Sequence, residues 1–497
     1  MSKQQSTYRS IVKSTSIFGG VQVFQILFNL IKAKFVAILI GTVGMGIAGL
    51  LTSTISVVTV LATLGLNTGA VRELAQATLE KDIEKLNRIY TIFSRWLYFS
   101  AILGVIIVII FSSLFSKYTF GNQYYTWAFV WLSITVFLTV FTQRNNTLLQ
   151  GTGRITYLAK SSVIGSVSGL LTSIPLYYFL GIKGIVPALI IAATTSFLLS
   201  SFFVSKMSLS KSNITFKQAF FEGRDIVNLG LVMMIALLMG RVVIVGVNAF
   251  ISYAGSLSDV GLYNAGIAMT SQSVGLVFAA MSLDYFPRLS SISSDNLKVR
   301  EMVNQQSEVT LLIILPILVA MILFAPLMIR ILLSTEFNSL SSFIRLIALG
   351  TIFQAASFTI SMTLLAKGDK KNYLIFNALL ANSLGLIFFI IGYKFWGLNG
   401  LAIAIGVHHF IFLIIYLIFT KKLYNYSMSR KFVSILLVNI CLISLVYSSI
   451  IVFPNIYGYS VGVLLLLLAI VYSIFNLNKL IGINQYYHEF IKRFKNN

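Results

Sequence analysis

Val43-Gly-Met-Gly-Ile-Ala-Gly49 returns 217 residues later as Val260-Gly-Leu-Tyr-Asn-Ala-Gly266, and this recurrence decides how the chain is organised. Leu148-Leu149 and Tyr157 return as Leu364-Leu365 and Tyr373, at an offset of 216. Phe179-Leu-Gly181-Ile-Lys-Gly184-Ile185 returns as Phe395-Trp-Gly397-Leu-Asn-Gly400-Leu401, again at 216. Single matches of Gly and Leu mean little in apolar helices. A constant offset at separated places points to an internal duplication.

The sequence around these matches is built for lipid. Of 497 residues, 57% are hydrophobic and only 10% charged, with a mean hydropathy of +0.89 and a formal net charge of +23. A soluble domain carries about 25% charged residues. The 37 Lys and Arg form no basic block or stripe, so nucleic-acid binding is set aside. Cys441, the single cysteine, excludes an internal disulfide framework and a Cys-based zinc cluster.

A bilayer-crossing helix needs about 20 mostly apolar residues. Fourteen runs qualify: 17–40, 46–66, 92–114, 125–143, 156–180, 184–204, 226–250, 260–283, 307–329, 342–366, 372–393, 398–420, 432–453 and 456–478. The first carries Lys32 and Lys34 and is followed by no small-x-small cleavage site, so it does not read as a signal peptide. With the N-terminus inside, the cytoplasmic segments hold 29 Lys and Arg and the outside loops only Lys117, Lys183, Arg330 and Lys394. That asymmetry places both termini in the cytoplasm. The outside loops are too short for a catalytic domain.

The expected fold is an all-α integral membrane protein of about 14 transmembrane helices. Six spans separate each element from its copy, so the copies point the same way. Residues 1–215 and 216–430 then form two six-helix lobes related by a parallel repeat, and transporters place substrate at such a repeat interface. Two additional spans fill 431–478. Residues 479–497 form an amphipathic cytoplasmic tail, with Leu480, Ile483, Tyr487, Phe490 and Phe494 at helical spacing.

Charge inside a membrane is costly and marks a cavity or a partner. Four cations fall in spans: Lys32, Lys34, Arg241 and Arg345. No acid lies near the middle of any span. Gln22, Gln25, Asn29 and Lys32, spaced 3, 4 and 3, share one narrow helix face that suits a wet cavity. Thr52, Ser56, Thr59, Thr63 and Asn67 form a second stripe, which suits either a cavity or hydroxyl-mediated helix packing. Arg241 lies near the centre of span 7, the counterpart of span 1. With no intramembrane acid to pair with, Arg241 and Lys32 would meet an anionic substrate, or else carbonyls and water. Lys34 lies nearer the outer surface, where it can snorkel. Arg345, in the first turns of span 10, reads as interfacial. His408 and His409 point about 100° apart on their helix, so they form no single metal site.

These stretches have a familiar look. Thr15-Ser-Ile-Phe-Gly-Gly, Ala33-Lys-Phe-Val-Ala and Gly41-Thr-Val-Gly-Met-Gly resemble polysaccharide-unit (O-antigen or capsule repeat) flippases of the multidrug/oligosaccharidyl-lipid/polysaccharide exporter superfamily. So do Leu64-Gly-Leu-Asn-Thr-Gly-Ala-Val-Arg72-Glu-Leu-Ala, Leu149-Gln-Gly-Thr-Gly-Arg154 and Leu332-Leu-Ser-Thr-Glu-Phe337. The resemblance covers about residues 10–425. It implies a carrier in the bacterial cytoplasmic membrane that moves undecaprenyl-pyrophosphate oligosaccharide units outward by alternating access. It implies cavity cations at Lys32, Lys34 and Arg241. The polar face of the first span adds Asn29 and Gln25 beside them, and Arg72, Arg345 and His408 are secondary candidates. Its partners would be membrane lipid, a polysaccharide polymerase and glycosyltransferases. No cofactor is implied; a proton or a sodium gradient would suit its coupling.

A multidrug exporter or a lipid II-type flippase of the same superfamily is the alternative. Deep positive charges would repel cationic drugs. A major-facilitator carrier lacks support, because no G-x-x-x-D-R-x-G-like signature lies between spans 2 and 3. A membrane glycosyltransferase would need acids near an outer face, and Asp259 and Glu336 are too isolated to pair. The chain reads as a non-enzyme.

Overall fold

The computed structural model describes residues 3–207, 209, 212–453 and 456–481. Fifteen α-helices account for nearly all of them: α1 (Lys3–Thr63), α2 (Leu66–Glu80), α3 (Ile83–Phe120), α4 (Thr126–Gly151), α5 (Ile155–Leu180) and α6 (Ile185–Ser205). They continue as α7 (Phe216–Glu222), α8 (Arg224–Ala254), α9 (Leu257–Ser291), α10 (Asn296–Leu332) and α11 (Leu340–Ala366). The last four are α12 (Lys370–Tyr373), α13 (Ala381–Tyr424), α14 (Arg430–Val452) and α15 (Ile456–Ile481). The amphipathic tail expected at 479–497 lies outside the described residues beyond Ile481.

The chain is an all-α, multi-pass membrane protein. Among the described residues, ten helical stretches are long and apolar enough to cross a bilayer, or eleven when the bent pair Leu257–Ala279 and Asp284–Ser291 is taken as one. Fourteen apolar runs map onto these stretches because Phe24–Thr63, Ile155–Ser205 and Lys370–Tyr424, of 40, 51 and 55 residues, carry two runs each. A straight 40-residue helix would reach about 60 Å, twice the hydrocarbon thickness. Each of the three is broken near its middle: at Gly41 (φ 63°, ψ −166°), at the 3₁₀ turn Gly181–Gly184, and at Trp396–Gly397. Helix α3 presents Tyr98, Phe99, Ile102, Ile106 and Ile110 on its exposed side and Leu97, Ala101, Gly104 and Val108 on its buried side. Lipid, not water, is the solvent such a face requires.

The duplicated stretches adopt duplicated geometry. Gly181 (φ 54°, ψ −131°) and Gly397 (φ 58°, ψ −142°) share a left-handed conformation that only glycine adopts without strain. Three residues on, the Cα of Gly184 sits against the Leu176 carbonyl and that of Gly400 against the Gly392 carbonyl, leaving no room for a Cβ at either. At the earlier turn the structure shifts the match by one residue. Arg154 N–H donates to the Leu149 carbonyl (2.8 Å) and Asp369 N–H to the Leu364 carbonyl (3.1 Å). Gly153 (φ 68°) and Gly368 (φ 69°) occupy the same place in the two turns. The equivalence there is 215 residues, not 216.

Two compact units make up the chain: Met1–Ala265 with Leu332–Ser334, and Gly266–Ile331 with Thr335–Asn497. In the first, the two copies of the opening motif pack on each other. A Cβ on Gly46 would lie 1.9 Å from the Leu257 carbonyl oxygen, and one on Gly261 would lie 1.9 Å from the Thr42 carbonyl oxygen. Ser258 Oγ donates to Thr42 Oγ1 (2.8 Å) at the same crossing. Close approach of this kind lets helices associate in lipid, where no hydrophobic effect drives them together. Next to it Asn264 Nδ2 donates to Asn248 Oδ1 (3.2 Å), and Asn248 Nδ2 donates to Ser53 Oγ (3.2 Å), a polar chain through a fully buried asparagine.

In the second unit α11 packs on α13, with Gly350 directly against the backbone of Gly406. Asn304 accepts from Tyr426 Oη (3.1 Å) and the Ser429 amide (3.0 Å), fixing the entry to α14. Pro326 in α10 has no N–H to give the Ile322 carbonyl four residues earlier, and Arg345 Nε donates to that oxygen instead (3.1 Å).

Gly261→Ala is expected to destabilise the protein by about 1–3 kcal/mol, because backbone atoms cannot move aside. Gly275→Ala, which meets open space, is expected to be neutral or slightly stabilising. Thermal unfolding of the purified chains in detergent checks the pair; equal midpoints would contradict the crossing.

Candidate functional site

Helix α8 is aimed by three residues. Gly230, Arg241 and Asn248 are 11 and 7 positions apart and so fall on one helix face. Gly230 rests on the Leu64 carbonyl and Gly65, and Asn248 holds Ser53. The face between these two fixed points runs antiparallel to the second half of α1. Arg241 is therefore carried to the level of Ser56 and Thr59, and it lines a cavity there.

That cavity has a volume of about 290 Å³ and lies wholly within the first unit. Thr52, Ser56 and Thr59 of α1, Thr135, Thr139 and Gln143 of α4, and Arg241 of α8 supply its polar wall. Leu51, Ile55, Leu132 and Leu189 supply the apolar one. Thr52 Oγ1 donates to the Ala48 carbonyl (2.7 Å), Ser56 Oγ to Ser53 (2.6 Å) and Thr59 Oγ1 to Ile55 (2.9 Å). Their protons are tied to α1 itself, so in this arrangement the oxygens face inward as acceptors. Gln143 accepts from Asn67 Nδ2 (2.8 Å) through its carbonyl, which leaves its amide N–H groups as donors. The lining contains no carboxylate. Among the described residues no acceptor is bonded to the Arg241 guanidinium, which is exposed.

Leu51 also lines a second, larger cavity of about 880 Å³. Val43, Ile47, Trp127, Trp131, Pro187, Ile190 and Ile191 give it an almost wholly apolar wall, with Tyr124, Tyr125 and Lys183 toward the α3–α4 and α5–α6 connections. A cationic, hydroxyl-lined slot thus abuts an apolar groove. This pairing suits an amphiphile with an anionic head.

The other expected site residues lie elsewhere. Lys32 and Gln25 are half-buried and Asn29 is exposed on the first half of α1, and none of them lines the Arg241 cavity. Lys34 donates to the Leu333 carbonyl, so its charge is engaged by backbone. Arg72 is exposed on α2. Arg345 is a brace, held between the Ile322 carbonyl and Tyr459 Oη (3.1 Å). His408 is buried against Phe388, Phe389 and Phe412, with Nε2–H donating to the Ala381 carbonyl (3.0 Å). Of the α1 stripe, Thr52, Ser56 and Thr59 reach the cavity, while Asn67 reaches it only through Gln143. Sequence reading missed the α4 wall, although Thr135, Thr139 and Gln143 repeat at intervals of four on that helix.

A family model described as "Polysaccharide biosynthesis protein" matches residues 35–342. Among curated proteins, none matches this sequence. Solved structures share its fold at low identity. Lipid II flippase MurJ in an inward closed conformation is 16% identical, with a TM-score of 0.72, over 94% of this chain and 99% of that one. An inward-facing multidrug resistance MATE family transporter of the MOP superfamily is 17% identical, with a TM-score of 0.68, over 81% and 94%. A mutant of the Vibrio cholerae MATE transporter VcmN is 15% identical, with a TM-score of 0.61, over 86% and 99%.

Arg241→Gln is expected to change thermal stability by less than about 0.5 kcal/mol, because it breaks no contact. Asn248→Leu is expected to cost about 1–3 kcal/mol by stranding Ser53 and Asn264. The same unfolding experiment on both variants checks the assignment of one to a ligand and the other to the frame.

Proposed function

Because the chain belongs to the polysaccharide biosynthesis protein family, we propose that it is a flippase for lipid-linked saccharide units, a carrier rather than an enzyme. The observation that carries this reading is the Arg241 guanidinium, set without a carboxylate partner in a polar slot that meets an apolar groove at Leu51. The substrate would be an undecaprenyl-pyrophosphate oligosaccharide. Arg241 and the Gln143 amide would take pyrophosphate oxygens, charge-assisted bonds that gain strength where water is excluded. The Val43–Ile47–Trp131–Ile190 groove would take prenyl units. A slot of about 290 Å³ holds a pyrophosphate and not a whole oligosaccharide, so the sugars would project beyond it.

The proposed topology has fourteen crossings, with the three broken stretches each crossing twice. Residues 1–215 and 216–430 would be the duplicated six-span lobes, 431–478 two further spans, and the loops rich in Lys and Arg would face the cytoplasm of a bacterium. Alternating access would move the head group from the inner to the outer leaflet, delivering units made by glycosyltransferases to a polysaccharide polymerase. Lys32, with Asn29 and Gln25, would meet the same substrate at another stage of that cycle. A cationic slot disfavours the cationic drugs that a multidrug exporter would carry.

A deletion strain is expected to lose its surface polysaccharide and to accumulate the lipid-linked unit on the cytoplasmic side. Complementation with Arg241→Glu and Lys32→Glu combined is expected to restore less than about a tenth of export, since each reversal removes more than 1.4 kcal/mol of anion binding. Normal export by that variant, at normal protein levels, would sink the assignment.

A further inference from the structure

A second cationic cavity lies at the end of α3 and α4 that carries the basic loops. It has a volume of about 420 Å³ and is lined by Tyr90, Thr91, Ser94, Arg95 and Tyr98 of α3 and by Phe141 and Arg144 of α4. All seven residues lie in the first unit, and none of them lines the Arg241 slot. The lining holds two guanidiniums, two phenols, two hydroxyls and no acid.

Arg144 is positioned before any ligand arrives. Its Nε (3.2 Å) and Nη2 (2.9 Å) donate to Asn145 Oδ1. Asn145, fully buried, is fixed in turn by its Nδ2 donating to Ser200 Oγ and Ser201 Oγ of α6, each at 3.0 Å. The guanidinium lies over the rings of Phe141 (4.8 Å) and Tyr90 (5.8 Å). Two of its five N–H groups are used by Asn145, and the other three find no acceptor among the described residues. Arg95 is held by the Ile214 carbonyl, and Thr91 Oγ1 by the Ser212 amide (3.1 Å). Ser94 Oγ is buried without a partner on the same wall. Arg88 forms a two-pronged bond to Glu222 (2.8 and 2.6 Å) and holds its carboxyl below the usual range, which keeps the nearest acid of α7 engaged with another cation.

Tyr98 and Phe99 expose large rings on α3, and Trp96 packs on Phe220 beside the cavity. Aromatic belts of this kind sit at head-group depth, and basic pockets between membrane helices take lipid phosphates. We propose that this cavity binds the phosphate group of an anionic lipid, with Arg144 and Arg95 clamping its oxygens and Ser94, Tyr90 and Tyr98 completing the shell. The phosphate chemistry follows from the lining alone. Only the identity of the leaflet, the cytoplasmic one, rests on the orientation proposed above.

The test uses the full chain in nanodiscs of phosphatidylcholine, with and without phosphatidylglycerol, read by thermal unfolding and by native mass spectrometry of retained lipid. Wild type is expected to retain phosphatidylglycerol and to unfold at a higher temperature with it. Arg144→Gln is expected to weaken retention about tenfold, while Lys206→Gln, a cation packed on Phe202 away from the cavity, leaves it unchanged. Arg144→Lys keeps the charge but loses the fork, and it is expected to fall between the two. Inorganic phosphate at millimolar concentration is expected to have no effect. Stabilisation by phosphate but not by lipid would assign the cavity to a soluble anion and overturn the proposal. So would equal retention by all four chains. Should the deletion strain keep its surface polysaccharide while lipid retention persists, the transport reading falls and this one stands.

Discussion

In lipid a backbone amide has no water to fall back on, so every N–H and C=O must be satisfied within the chain. The architecture follows from that one constraint. It forces the chain into helices, and the long ones break at glycines of positive φ: Gly41, Gly181 and Gly397. It also explains why so many polar side chains serve the frame. Thr52, Thr54 and Thr59 of α1 bond their own helix, Arg345 supplies the proton that Pro326 withholds, and Lys34 meets the Leu333 carbonyl. A cation in this setting without such a partner stands out, and Arg241 is held there by packing that has nothing to do with its charge.

That packing depends on glycine. The Gly46–Gly261 crossing and the Gly65–Gly230 contact bring α1, α8 and the start of α9 to backbone distance, and the Ser53–Asn248–Asn264 chain locks the spacing. The slot lies between these contacts, on the same face of α8. Its shape is therefore set by rigid helices rather than loops, and its chemistry by one guanidinium, one amide and a row of hydroxyl oxygens.

Much of this was legible in the sequence. Composition gave the solvent and the apolar runs gave the long helices, and the recurrent glycines marked turns that prove to share left-handed geometry. Thr52, Ser56 and Thr59, a stripe that suited either helix packing or a cavity, line one cavity with Arg241, whereas the Gln25, Asn29 and Lys32 face expected to line it does not. Other features were invisible because they depend on distant chain segments. Nothing local says that Lys34 will find a carbonyl 299 residues away, or that Tyr459 will brace Arg345. Residues 364–365 aligned with 148–149 by identity, yet the turns match one residue off, because hydrogen bonding and not leucine identity sets the register there. The α4 stripe was readable by the rule applied to α1, and its omission left the slot with one wall.

The central claim is that the Arg241 guanidinium recognises a polyprenyl pyrophosphate. Binding of a short-chain polyprenyl pyrophosphate to the purified chain, compared with the prenol of equal length, tests it most directly. The account predicts that wild type prefers the pyrophosphate by tenfold or more, consistent with about 1.4 kcal/mol or more from charge-assisted bonds, and that Arg241→Glu abolishes the preference while still binding the prenol. Equal binding of both ligands by wild type, or a preference that survives Arg241→Glu, would contradict it.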